Sequence, residues 1–217
     1  MHLALIHTSP AAIAPLARYY AEHEPAWRLT NLLDDAVLRL FQESREDAVE
    51  AALAGLIERA AHYGAQAALL TCSAVGAALL ARLQTRSPMP VIKIDAPMAH
   101  AAVSQARRIG VLISFAPTSQ PTMTLLTETA ASLGRRVELV PHLCEGAYGA
   151  LLAGDAATHD ELLRAGAARL AAEPVEAIVL AQVSMAHLRN GLAEALALPV
   201  FSSLETSHAA IREALGP

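Results

Sequence analysis

Short apolar runs alternate along the whole chain with longer stretches in which apolar residues return every three or four positions, the pattern of strands exchanging with amphipathic helices. The runs are LALIHTS (3–9), WRLTNLL (27–33), AALLT (67–71), VIKID (91–95), IGVLIS (109–114), RVELVP (136–141), AIVLAQ (177–182) and LPVFSS (198–203). Between them, SREDAVEAALAGLIERAAHYG illustrates the helical pattern. Ser44 stands where an N-cap would, with Asp47 three residues on; Val49, Leu53, Leu56 and Ile57 share one face, and Gly64 is a stop. THDELLRAGAARLAAEP repeats the device with Thr158, Glu161 and a terminating Pro174.

Strand and helix in regular alternation imply an α/β fold, because parallel neighbours need a crossover and the crossover helices cover both faces of the sheet. Linker-like positions near Ala96–Pro97 and near Pro199 divide the chain into two lobes of similar plan, each a mostly parallel sheet flanked by helices. The expected division is residues 1–95 plus 200–217 for the first lobe and 96–199 for the second. At 217 residues the chain can bury a sizeable core without a metal or disulfide staple.

Composition narrows the function. The chain is 54% hydrophobic and only 4% aromatic, with much of the apolar content in Ala and Leu, which favours packed helices over a barrel or sandwich. A net charge of −5, without a Lys/Arg cluster, argues against a nucleic-acid partner. No apolar segment approaches the roughly 18 residues of a membrane span, and the opening MHLALIHTSP has no basic leader, so a soluble cytoplasmic protein is expected. Cys72 and Cys144 are far apart and form no CxxC pair, which makes reduced thiols the expectation. The nine histidines show no HExxH or clustered ligand spacing, and neither GxGxxG nor GxxxxGK[ST] occurs; no metal and no nucleotide are expected.

Ligands of open α/β sheets sit outside the carboxyl ends of the strands, so the polar strand ends are the site candidates. They are Thr8 and Ser9, Asp34 and Asp35, Cys72 and Ser73, Ser114 to Thr118, Cys144, Gln182 to Ser184, and Ser202 to Glu205. Asp34 and Asp35 read mainly as helix caps. Cys72 has two readings: a small buried hydrophobe, or a thiol at a strand end just before a helix N-terminus, where backbone N–H groups would stabilise a thiolate. The polar neighbours in TCSAVG favour the second.

The chain resembles the aspartate/glutamate racemase superfamily, which includes glutamate, aspartate and hydantoin racemases, maleate isomerase and arylmalonate decarboxylase. LLTCSAVG is similar to that family's first cysteine motif, VIKIDAPM to the segment entering the second lobe, and IGVLISFAPT to its Gly-Val-Leu-Ala-Thr stretch; EGAYGALLAGD also matches, and AIVLAQVSM stands in place of the second cysteine motif. The resemblance implies two pseudo-symmetric lobes, one active site between them, no cofactor, and Cys72 as the first catalytic thiol. At the second thiol's position the chain has Gln182, followed by Val183 and Ser184, and after the first strand it has HTSP instead of an Asp-Ser pair.

An amide is neither acid nor base near neutral pH, so two-thiol racemisation is disfavoured. The expectation is an isomerase or racemase-type enzyme acting on a small carboxylate through Cys72 alone. Thr8, Ser73, Ser114, Thr118 and Gln182, with the backbone around Val183 and Ser184, would hold the anion. A decarboxylase or lyase using the same cysteine, and a non-catalytic carboxylate binder, remain alternatives. Cys144, His7 and His187 are the groups that could replace the lost thiol, and a homo-oligomer is compatible with the small-residue helix faces.

Overall fold

The computed structural model describes residues 1–216. All eight apolar runs form strands: β1 His2–His7, β2 Arg28–Leu33, β3 Ala67–Leu70, β4 Val91–Lys93, β5 Arg108–Ile113, β6 Glu138–Leu143, β7 Ala177–Leu180 and β8 Val200–Phe201. The helices are α1 Ile13–His23, α2 Ala36–Gln42, α3 Glu46–His62, α4 Ala77–Arg86, α5 Ala96–Gln105, α6 Ser119–Ser132, α7 Ala147–Leu152, α8 Ala156–Ala171, α9 Arg189–Leu196 and α10 Ser203–Leu215. The strands make two four-stranded, wholly parallel sheets of the same plan, ordered β2-β1-β3-β4 and β6-β5-β7-β8.

The chain separates into two compact units, Met1–Ile94 with Ser207–Pro217, and Asp95–Thr206. The second division falls seven residues later than the break expected between 199 and 200. The cause is β8, which pairs with β7 and so belongs to the second sheet. Ala96–Pro97, read from sequence as linker, opens α5 instead: proline suits the first helical turn, where its missing N–H would have had no partner.

In the first unit one face of the sheet, with Ala4, Ile6, Ala68 and Leu70, packs against Val49, Leu53, Leu56 and Ile57 of α3 and Leu79 and Leu83 of α4. The four α3 residues are those whose spacing marked the apolar face. Burying each such side chain is worth about 1.5–3 kcal/mol. In the second unit Leu112, Ile178 and Leu180 meet Leu163, Ala167 and Leu170 of α8, while Ile109, Val111 and Ile113 on the opposite face meet α5 and α6.

Two caps differ from expectation. Ser44 sits at φ 54° outside the helix, and α3 starts two residues later without a side-chain cap. At α8 the cap is Asp155, whose carboxylate accepts the Thr158 N–H at 3.0 Å; Thr158 itself is inside the helix. Gly64 does end the α3 region at φ 81°. β6 runs on through Pro141 to Leu143 because it is an edge strand, where one side of the backbone has no ladder to lose.

Candidate functional site

The two sheets place their strand ends in matching registers. Ile6 pairs with Leu70 in the first, Leu112 with Leu180 in the second, and the next ladder bonds match as well: Thr71 N–H to the Ile6 carbonyl at 2.9 Å and Ala181 N–H to the Leu112 carbonyl at 3.0 Å. Side chains alternate along a strand. Thr8 and Cys72 therefore continue the face of Ile6 and Leu70, while Ser114 and Gln182 continue that of Leu112 and Leu180. Cys72 and Gln182 are equivalent positions in their two units, and so are Thr8 and Ser114. Asp34 and Cys144 form a third pair, their N–H groups bonded to the carbonyls of His7 at 3.0 Å and Ile113 at 2.7 Å.

In the second unit three of the sequence-selected residues converge. The Gln182 amide oxygen accepts from the Ser114 N–H at 2.7 Å and from the Ser114 hydroxyl at 3.0 Å, and its amide nitrogen donates to the Thr118 hydroxyl oxygen. Thr118 in turn donates to the Phe115 carbonyl at 2.7 Å. One amide N–H of Gln182 remains beyond this network. Val183 and Ser184 open a 3-10 helix, Val183–Leu188, that follows Gln182 directly; both are half-buried.

In the first unit Cys72 is 3% exposed and belongs to the aliphatic cluster that includes Leu70, Val75 and Leu79. The helix expected just after it starts later. Ser73 and Ala74 form a turn closed by the Val75 N–H on the Cys72 carbonyl at 3.4 Å, Val75 is buried, and α4 begins only at Ala77 with Gly76 as its cap. The helix terminus is thus five residues from the thiol, too far along the chain for the dipole argument to apply as first framed. Ser73 lies half-buried within the turn, outside any helix or ladder, and Thr8 is buried. Of the two expected caps only Asp34 acts, accepting the Ala36 N–H at 3.1 Å; Asp35 holds the N-cap position of α2 without a side-chain cap bond.

The candidate substitutes for a second thiol are placed as follows. His7 is fully buried, with Nδ1 3.0 Å from the Thr71 hydroxyl and Nε2 2.9 Å from the Asn31 amide oxygen. Burial lowers its pKa, opposed by the Asn31 bond, so the ring is held neutral with both nitrogens occupied. His7 thus ties three strand ends together. Asn31 was missed by sequence reading, although a polar residue inside the β2 run was the available signal. Cys144 is buried against α8, and burial pushes its thiol up to about 11, against the opposing charge of Arg169. It fills space. His187 leaves the strand-end region and reaches Asp160 of α8, with Nε2 2.9 and 3.0 Å from the two carboxylate oxygens.

An open groove on α3 and α4, lined by Asp47, Glu50, Glu58 and Arg86, offers no chemistry of this kind, since Glu50 is held by Arg82 and Arg86. Among the described residues no group of three or more His, Cys, Asp or Glu is placed to hold a metal ion, and no helix is long and apolar enough to cross a membrane.

The profile of the Asp/Glu/Hydantoin racemase family matches residues 15–213. The chain belongs to this family. Solved structures share the racemase fold at low identity. Glutamate racemase isoform RacE1 from Bacillus anthracis is 18% identical, with a TM-score of 0.66 over 96% of this chain and 79% of that one. Allantoin racemase from Klebsiella pneumoniae is 16% identical, with a TM-score of 0.70 over 97% and 86%. Unliganded arylmalonate decarboxylase is 16% identical, with a TM-score of 0.68 over 99% and 93%. No curated protein sequence matches significantly. Membership places the chain in a family of racemase-type isomerases, whose fold also carries a decarboxylase.

Proposed function

We propose that the protein is a cofactor-independent isomerase acting on a small carboxylate or amino-acid-like substrate, with Cys72 as its single proton-transfer group. One observation carries this reading: two equivalent strand ends hold a thiol in one unit and an amide in the other, and that amide is already engaged by Ser114 and Thr118. A thiolate can take the α-proton, leaving an enediolate and a neutral thiol, and the same thiol can return the proton to carbon. Inversion then requires the intermediate to turn its other face to the sulfur.

Gln182 contributes its remaining N–H to the developing negative charge and carries no proton away. Thr8 stands toward Cys72 as Ser114 stands toward Gln182, and Ser73, Val183 and Ser184 supply hydroxyl and backbone donors in the two strand-end loops. A reducing compartment suits this chemistry, because Cys72 and Cys144 are both thiols.

The same asymmetry supports a second reading. A single thiol protonates one face only, which is what a decarboxylase needs: the bond from the α-carbon to one carboxyl breaks, carbon dioxide leaves, and the Cys72 S–H delivers its proton to the enediolate. Incubation with amino acids, hydantoins and substituted malonates in heavy water separates the two. Deuterium at the α-carbon without gas release supports isomerisation, and carbon dioxide release supports decarboxylation. Cys72→Ala is expected to lower either signal by at least a thousandfold while the protein stays folded. Turnover retained in that variant sinks both readings, and carboxylate binding with no turnover in the unaltered protein leaves a binder.

A further inference from the structure

We infer that Lys93 is a positioning residue for Cys72: its buried ammonium, on the neighbouring strand and the same face of the first sheet, favours the thiolate that takes the substrate's proton. The inference deepens the proposed function and rests on its assignment of proton transfer to Cys72. Lys93 is the one lysine of the chain; the rest of its sixteen basic residues are arginine. It lies at the carboxyl end of β4 and is only 3% exposed, a burial that lysine shows almost only where a negative group meets it.

Register places the charge. Ala68 pairs with Val91 and Leu70 with Lys93, and Val91 lies with Ala68, Leu70 and Cys72 in the core under α4. Alternation puts Lys93 on that same face, which Cys72 continues two residues past Leu70. With strands about 4.8 Å apart and a rise of about 3.3 Å per residue, the two Cα atoms are separated by roughly 8 Å, a gap the four-carbon lysine stem can largely cross. An opposite charge at that range favours a thiolate. It supplies what α4 cannot, since that helix begins five residues beyond the sulfur.

The second unit changes both positions together. Ala68 and Ile178 donate alike to the Pro90 and Pro199 carbonyls, each at 2.9 Å, so Lys93 corresponds to Ser202 as Cys72 does to Gln182. The cation accompanies the thiol; beside the amide the equivalent residue is a neutral hydroxyl that donates to Glu205. Nearby charged groups are placed differently. Asp34 ends β2, two strands from β3 across β1; His7 lies on the opposite face; Arg82 and Arg86 of α4 hold Glu50. Asp95 follows Lys93 by two residues, buried at the N-cap position of α5.

Ultraviolet absorbance of the thiolate, taken as the difference between the protein and Cys72→Ala from about pH 5 to 10, reads this without substrate and cancels Cys144 and the tyrosines. The titration midpoint is expected about one pH unit or more below that of free cysteine, to rise by a similar amount in Lys93→Met, and to stay low in Lys93→Arg, which keeps the charge. Thermal melting checks folding, and Lys93→Gln serves where the methionine variant fails to fold. A midpoint at or above that of free cysteine in the unaltered protein, or one that a folded neutral variant leaves in place, overturns the inference; the second result is what a lysine serving only Asp95 would give. A lowered midpoint without turnover in the heavy-water experiment fails the proposed reaction alone, and turnover with an unmoved midpoint fails this inference alone.

Discussion

Gly166 of α8 shows at the scale of one residue why Cys144 is structural. A Cβ added there would lie 2.4 Å from the Cys144 sulfur and 2.9 Å from a His142 ring carbon, contacts that real side chains do not make. Gly166→Ala is therefore expected to destabilise by about 1–3 kcal/mol, and Cys144→Ala in the same chain should recover part of the loss, as a double-mutant cycle in urea would read. His7 makes a second residue-scale prediction. Its pKa in the folded protein lies below the ordinary 6.5, so the unfolded chain binds more protons as pH falls below that value. Stability is then full above pH 6.5 and drains away as pH falls through the lowered folded value. His7→Gln should flatten that part of the stability–pH curve, measured by urea unfolding between pH 8 and 5.

At the scale of elements, side chains do the joining that backbone ladders cannot. Gln182 holds the loop after β5 to the loop after β7, and His187 holds the following 3-10 helix to α8 through Asp160. Burial raises the Asp160 carboxyl, but hydrogen bonds from His187 and His159 and the nearby charges outweigh it and keep it below the usual carboxylate range. Gln182→Ala removes both ends of the first tie and leaves Ser114 donors unmatched. Faster amide exchange is expected in residues 114–118 and 182–188, with a global loss of about 1–3 kcal/mol. In the first unit the C-terminal helix is fastened similarly: His208 Nε2 lies 2.7 Å from the Glu24 carboxylate that follows α1, and Arg212 bonds the same group.

Over the whole molecule, the repeated plan makes the difference between the units chemically readable. Two sheets with the same strand order and register should present the same functional group twice, and they present a thiol and an amide. Gln182→Cys restores the symmetry. In heavy water the inverted product is then expected to carry deuterium from its first turnover, because a second thiol delivers a solvent-derived proton where a single thiol can return the one it removed; the Ser114 and Thr118 bonds are lost, and chiral chromatography with mass detection reads the outcome. Unchanged labelling of the inverted product in the variant would show that position 182 does not address the substrate.

The sequence by itself determined the eight strands, the parallel α/β class and the apolar face of α3, since these depend on local periodicity that neighbouring residues carry. It also selected Cys72, Ser114, Thr118 and Gln182, because strand ends before polar turns are visible as breaks in apolar runs. The allegiance of β8, the late start of α4, the cap at Asp155 and the use of Asn31 were decided only by tertiary structure. Each depends on which distant backbone group a residue meets: β7 for Val200, the core for Val75, the His7 ring for Asn31. Hydrophobic rhythm is written along the chain, whereas hydrogen-bond partners many residues apart exist only once the sheets have formed.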